Sequence, residues 1–375
     1  MIVGLLPALG SGVGELARTG QASRLIDGYL LPYAKAFDGV YYFSYLPERL
    51  GDFTDDPFLG ERVRLLAPPR PMPRARRAVS MVVTHGDELR RCAVLRVFQV
   101  TGAIPALLAR ARFGVPFVTT YGFSYDALSR SAGRRLLKLV VERLALRHAA
   151  GVLATTEVLR RRAARRTARV HLLPNGVDTA RFVPAPARAR AGQAASILYV
   201  GRLSAEKNLG ALVSAAARLG ERRRLELVFV GDGPLRGALE AQAAAARVPA
   251  RFAGVVEQRA LPACYAGADA FVLASFTEGH PKVLLEAMSS GVPCVASACD
   301  GNRSLVTDGE TGLLFDPARP ETLAAALERV LGDDALAARL ARNARALVTE
   351  RYDLGRLVER EIALVRSVAR LDFAP

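Results

Sequence analysis

Short apolar, β-branched runs alternate with longer Ala/Leu/Arg stretches along the whole chain. The first half holds "IVGLLPA", "GVYYFSYL", "AVLRVFQV", "VPFVTTYG", "AGVLATT" and "RVHLLPNG". The second holds "SILYVGR", "LELVFVGDG", "RFAGVV", "AFVLAS", "PCVAS" and "TGLLF". Short continuous apolar runs, several ending in Gly, predict buried parallel strands. The helical stretches of about 10–20 residues between them predict crossover helices, so the expected class is α/β with doubly wound sheets. The segment "FVPAPARARAGQAAS" is rich in Pro, Ala and Gly and has no periodicity. It predicts a linker over 182–196, between a first Rossmann-like domain at 1–181 and a second at 197–352. A last helix is predicted over 353–371. Two such sheets joined by a linker make a cleft, and open α/β sheets bind ligands beyond the carboxyl ends of their strands.

The stretch "TEGHPKVLLEAMSSGVPCVAS" (277–297) concentrates candidate chemistry. It follows the strand "ADAFVLAS" and reads as loop, short helix and next strand. Pro281 fits the first helical position, and Gly291 fits the left-handed residue that ends the helix. A helix N-terminus presents unpaired N–H groups and partial positive charge, which suits a phosphate. Glu278 lies just outside that end and can accept hydrogen bonds from hydroxyls of the same ligand. Glu286, over one turn further on, could hold another hydroxyl, such as those of a ribose. The plainer alternative is that Glu278 favours the helix dipole and Glu286 pairs with Lys282.

A second loop bears on that choice. In "YVGRLSAEKN" a strand ends at Gly201, and Arg202 and Lys207 flank the turn. Two fixed cations at the same sheet edge can neutralise a diphosphate, Arg as a planar fork and Lys as a point charge. Alone, the segment reads more simply as a surface turn with a Glu206/Lys207 pair. The loops "FVGDGPLRG" and "LGSGVG" both miss the dinucleotide fingerprint. The second, with Gly10 and Gly12, would let backbone approach a ligand across the cleft, or is simply a flexible loop.

Composition narrows the classes. With 375 residues, 51% of them hydrophobic, the chain has ample core for about two or three domains. Its four cysteines form no CxxC and predict free thiols in a reducing compartment, and its four histidines show no HxH or HExxH, so no zinc site is expected. The opening lacks a basic n-region and no run of 18 apolar residues occurs, so neither a signal peptide nor a membrane span is expected. Net charge is +16, and residues 1–185 hold 28 Lys+Arg against 14 Asp+Glu, leaving +2 for the remainder. The excess gathers in "RSAGRRLLKLVVERLALRHAA" and "RRRAARRTAR". This predicts either a solvated basic face or attraction to an anionic surface. In the first segment Leu136, Leu137, Val140, Val141 and Leu144 also fit a helix with one face in the core.

Taken together, "GRLSAEKN", "VGDGP", "ADAFVLASFTEGHPKVLLEAMSSGVPCVAS" and "GETGLLF" resemble, in order and spacing, the nucleotide-sugar domain of family 4 retaining glycosyltransferases of GT-B fold. "LLPNGVDTARF" is similar to that family's segment at the end of the first domain. The likeness is dense over 172–331 and diffuse before. It implies two Rossmann-like domains facing across a cleft, with 353–375 crossing back to the first. Glu278, Arg202 and Lys207 would then act at the reacting sugar and diphosphate, and Glu286 at the ribose. Backbone of Gly201, Gly279, His280, Lys282, Val283 and Leu284 would surround sugar and phosphates, with Val255 near the base. His280–Pro281 replaces a commoner aromatic–Gly pair. Tyr121 stands where many relatives carry a His beside the cleft, so Gly10, Gly12 and Tyr121 are the candidates on the acceptor side.

The implied reaction moves a hexosyl group from a nucleoside diphosphate sugar to a saccharide or lipid-linked acceptor. The acceptor would attack from the leaving-group face, without a protein nucleophile or metal. No cofactor beyond the donor is expected. The implied setting is the cytoplasm, peripheral at the inner face of the membrane. Two other classes fit parts of the pattern: a sugar-nucleotide epimerase or hydrolase, and a basic nucleic-acid-binding protein. The second lacks any RRM, KH or helix-turn-helix pattern, so nucleic acid is not an expected partner.

Overall fold

The apolar runs become the strands of two parallel sheets. A computed structural model describes residues 1–123, 132–186 and 193–371. Contacts divide the chain into one unit of Met1–Pro174 with Gly355–Pro375 and another of Asn175–Leu354.

The first unit holds β1 (Ile2–Leu6), β2 (Gly39–Phe43), β3 (Val63–Leu66), β4 (Cys92–Val97), β5 (Phe117–Tyr121), β6 (Gly151–Ala154) and β7 (Val170–Leu172). All pair in parallel, in the order β3-β2-β1-β4-β5-β6-β7. Six of these strands come from the apolar runs. The edge strand β3, "VRLL", was not among them: it is short and only its end residues, Val63 and Leu66, are buried. The second unit holds β8 (Ala195–Val200), β9 (Leu225–Val230), β10 (Ala250–Gly254), β11 (Ala270–Leu273), β12 (Cys294–Ser297) and β13 (Leu313–Phe315), in the order β10-β9-β8-β11-β12-β13. Here every expected run is a strand. Both orders reverse beside their first strand, which is the doubly wound pattern with a switch point at β1/β4 and at β8/β11.

The last helix, Leu354–Leu371, packs with the first unit. Its Glu361 meets Arg96 near the carboxyl end of β4: Arg96 Nε donates to Oε1 at 2.8 Å and the second guanidinium nitrogen to Oε2 at 3.0 Å. Tyr33 OH donates to Glu361 Oε1 at 2.8 Å, and Arg96 also reaches Thr120 Oγ1 at 2.7 Å. Burial pushes the guanidinium pKa down, but the carboxylate outweighs it and raises it. A charge inside a central strand is thus matched by one from the far end of the chain.

Three expectations need correction. Residues 175–181 were assigned to the first domain but pack in the second unit. Val177 N donates to Tyr352 O at 2.9 Å and Leu354 N to Val177 O at 2.9 Å. Phe182, at the start of the expected linker, is a core residue there, and 187–192 lie outside the described residues. The helix Ala132–His148 does not bury the apolar stripe its sequence suggests. It buries Glu142, Ala145 and Leu146, while Leu136, Leu137, Val140 and Leu144 are exposed. Glu142 is drawn inward by the Tyr121 hydroxyl, which donates to it at 3.1 Å.

Candidate active site

The second sheet ends its central strands in loops that bring the predicted donor-side residues to one edge. After β8, Gly201 turns with φ +149°, and the next loop carries Arg202 and Lys207. The turn after β9 fits against it closely. A Cβ on Gly231 would lie 2.1 Å from the Gly201 carbonyl oxygen, and one on Gly233 2.4 Å from that of Leu203. The "VGDG" glycines therefore shape the β8 loop and need no ligand to explain them. After β11, the loop Ser275–His280 leads into the helix Lys282–Ser289.

Across the β8/β11 switch point, Lys207 Nζ lies 2.7 Å from Glu278 Oε1, with both side chains mostly buried. Ser275 Oγ donates to the same carboxylate oxygen at 2.6 Å. Phe276 N donates to Glu206 O at 2.9 Å, tying the two loops through backbone as well. Glu206 does not pair off as the surface-turn reading supposed: its carboxylate accepts from Ser204 Oγ at 2.6 Å. Burial pushes Glu206 up, but Ser204, local backbone, Lys207 and Arg202 outweigh it and hold its pKa low. Arg202 is exposed and makes no ion pair with a described residue, and its carbonyl accepts from Tyr199 OH at 2.9 Å. Burial, and then the charges of Glu278 and Glu206, keep the Tyr199 phenol protonated.

The helix Lys282–Ser289 begins without a side-chain cap, because its N-cap is Pro281, one position earlier than expected. Proline has no side-chain acceptor, so no side chain caps the first turn of this helix. Most described helices of this chain likewise lack a side-chain cap, whereas Asp333 closes its helix by accepting from Leu336 N. The C-terminus is closed: Gly291 adopts φ +68°, Gly291 N donates to Met288 O and Val292 N to Ala287 O.

Glu286 is only 1% exposed. Tyr265 OH donates to its Oε2 at 3.1 Å and Gln258 Nε2 to its Oε1 at 3.4 Å. Burial and then Glu286 push the Tyr265 phenol well up, so it stays a donor. The Gln258 side-chain oxygen has no partner among the described residues. Val255 is exposed at the end of β10. His280 turns its ring inward, 5.4 Å from that of Tyr352, and burial lowers its pKa to about 3, so the ring is neutral. Its carbonyl accepts from Asn175 Nδ2 at 2.7 Å.

Sequence reasoning missed Gly301, which follows β12 and lies directly under the acidic loop. A Cβ there would sit 2.5 Å from the Glu278 carbonyl oxygen and 2.6 Å from that of Gly279. A glycine just after a strand was the available signal. It also missed Ser275, whose partner Glu278 is three residues on, and Asn175, whose partner His280 is 105 residues away.

The three first-unit candidates fare differently. Gly10 has φ +85° and packs on Arg74. Gly12 caps the helix Val13–Arg18, but the end is already taken: Glu48 accepts from Val13 N at 2.9 Å and Gly14 N at 2.7 Å. Tyr121 is fully buried on Glu142, so the expected contact of its side chain with an acceptor does not match its position.

Residues 186–347 match the family Glycosyl transferases group 1, and residues 45–176 match the Glycosyl transferase 4-like domain. The chain is 33% identical over 243 residues to alpha-D-kanosaminyltransferase of Streptomyces kanamyceticus, covering 60% of this chain and 63% of that one. It is 33% identical over 246 residues to a GDP-mannose-dependent alpha-mannosyltransferase of Mycolicibacterium smegmatis, covering 60% and 64%. The aligned stretch is thus under two thirds of either relative's length. Among solved structures, sucrose-phosphate synthase from Thermosynechococcus elongatus superposes with TM-score 0.81 at 23% identity, over 99% of this chain and 100% of that one. Anabaena HepE in complex with UDP-glucose gives 0.76 at 20% identity, over 98% and 99%. Those likenesses establish the two-sheet GT-B fold, and the two family matches place the second half of the chain with the glycosyl transferases group 1 and the first half with the glycosyl transferase 4-like domain.

Proposed function

We propose that the protein is a retaining hexosyltransferase that uses a nucleoside diphosphate sugar. The observation that carries this reading is the Lys207–Glu278 pair at the β8/β11 switch point, beside a helix N-terminus with no cap. The pair holds a cation for phosphate and a carboxylate for sugar hydroxyls in one place. Arg202 and Lys207, with the N–H groups of Lys282, Val283 and Leu284, take the diphosphate and stabilise the charge that grows on it. Glu278, held by Ser275, orients the sugar. Glu286 takes the ribose hydroxyls as Gln258 turns aside, and Val255 lies against the base.

In the reaction the bond from the anomeric carbon to the diphosphate oxygen breaks, and a bond to the acceptor oxygen forms on the same face. The acceptor proton passes to the departing phosphate oxygen. Two fixed cations serve where other enzymes place a metal, so the reaction runs without one. The acceptor is a saccharide or a lipid-linked saccharide at an anionic membrane surface, a reading supported by the basic first half of the chain. The mannosyl- and kanosaminyltransferase relatives support a hexosyl donor.

A thermal-shift screen with UDP-, GDP- and ADP-sugars identifies the donor, because a ligand of the folded state raises the melting temperature by mass action. Transfer that needs an acceptor and yields product of unchanged anomeric configuration supports the reading. Donor turnover without acceptor would instead mark a hydrolase or epimerase.

A further inference from the structure

We infer that the helix Ala132–His148 is a docking element for an anionic phospholipid bilayer. The inference rests on the reading of a membrane as the place of reaction, and is independent of the donor chemistry. Leu136, Leu137, Val140 and Leu144 are 64%, 62%, 45% and 42% exposed. At about 100° per residue they fall within roughly 100° of the helix circumference. This is a coherent apolar face turned outward, whereas scattered exposed leucines would be ordinary.

The exposed charges on the helix itself have one sign. Arg143 and Arg147 are exposed on the same side of the helix, interleaved with the leucines. The helix has a single acidic residue, Glu142, and that side chain is buried, accepting from Tyr121 OH and lying 3.8 Å from Arg162. The outward surface of this helix, over its described side chains, therefore carries no carboxylate. Arg162 belongs to the adjoining helix Glu157–Ala164, after which Arg165, Arg166 and Arg169 are also exposed. The one acid of that helix, Glu157, is already held by Arg160 and Arg161.

An apolar face rimmed by arginine suits the boundary between headgroups and acyl chains. The leucines enter it, and the guanidinium groups stay at the phosphate level. A polyanion without an apolar layer, such as nucleic acid, would satisfy the arginines and leave the leucines in water. The bilayer is the occupant that uses both.

Flotation with vesicles of neutral phosphatidylcholine, alone or with about a third phosphatidylglycerol, tests the proposal on the full chain. Binding to the anionic vesicles at least 10-fold above the neutral ones is expected. The double variant Leu137→Gln/Val140→Gln changes only exposed positions and should lose at least 10-fold of that binding. Arg143→Ala/Arg147→Ala should lose a similar factor and weaken the salt dependence. Both should keep the wild-type melting temperature and any shift produced by the nucleotide sugars above, so failure to dock and failure to bind donor are read separately. Equal partition on both vesicle types, or full binding by the leucine/valine variant, would overturn it. So would duplex DNA that competes fully with the vesicles and binds the Leu137→Gln/Val140→Gln variant as tightly as wild type.

Discussion

Lys207 Nζ and Glu278 Oε1 stand 2.7 Å apart, joining loops from strands that are neighbours in the sheet but 71 residues apart in sequence. Without donor, each charge neutralises the other. A diphosphate sugar would offer Lys207 a phosphate and Glu278 hydroxyl donors. Glu278→Gln removes the negative charge and keeps the shape. It should lower kcat/KM by about 10²–10³, the usual cost of one electrostatic contact to a transition state. Lys207→Ala should abolish the thermal shift given by the donor. Steady-state kinetics beside melting curves check both, and near-normal turnover by Glu278→Gln would remove that residue from the mechanism.

Gly301 supports the same loop from beneath. Gly301→Ala puts a Cβ 2.5 Å from the Glu278 carbonyl oxygen, so the loop must shift. A displacement on the order of 1 Å at a reacting group costs about 10²-fold. The expected result is a fall of that order in kcat/KM in a protein that still melts cooperatively. Unaltered kinetics would mean that the loop position is not critical.

His280 should make stability depend on pH. Burial lowers its folded pKa to about 3 from an ordinary 6.5, so the unfolded chain takes up a proton that the folded chain refuses. Its contribution is fully present above pH 6.5 and is lost as pH falls toward 3, by about 1.4 kcal/mol per unit. His280→Phe keeps an aromatic ring against Tyr352 and leaves the carbonyl for Asn175. Between pH 7 and 5 the variant should lose about 4–8 °C less in melting temperature than wild type. Parallel curves for the two proteins would contradict the buried neutral ring.

Glu361 is the only carboxylate shown bonded to the guanidinium of Arg96 among the described residues. Glu361→Gln leaves a buried charge without its counter-ion and should cost about 3–5 kcal/mol in the first unit. Denaturant titration measures this. The donor-induced thermal shift should persist, because the residues proposed to hold the donor lie in the other unit. A loss below 1 kcal/mol would show that water or backbone already compensates Arg96.

Much of this molecule was legible locally. Buried parallel strands are apolar throughout, so all six strands of the second unit could be read directly, together with the loops that end them. The places of Glu278, Glu286, Arg202 and Lys207 in the second unit were readable for the same reason, since each lies in a loop or helix that directly follows a strand. What tertiary structure decided was partnership. Only folding pairs Arg96 with Glu361, 265 residues away, and makes a charged residue acceptable in a central strand. Only folding turns Tyr121 inward onto Glu142, closes the Gly12 helix end with Glu48, and sends Leu136, Leu137, Val140 and Leu144 outward. Periodicity marks the apolar and polar faces of a helix. Which of them meets the protein depends on groups contributed by other elements, and here the Tyr121 hydroxyl gives one buried carboxylate the partner it needs.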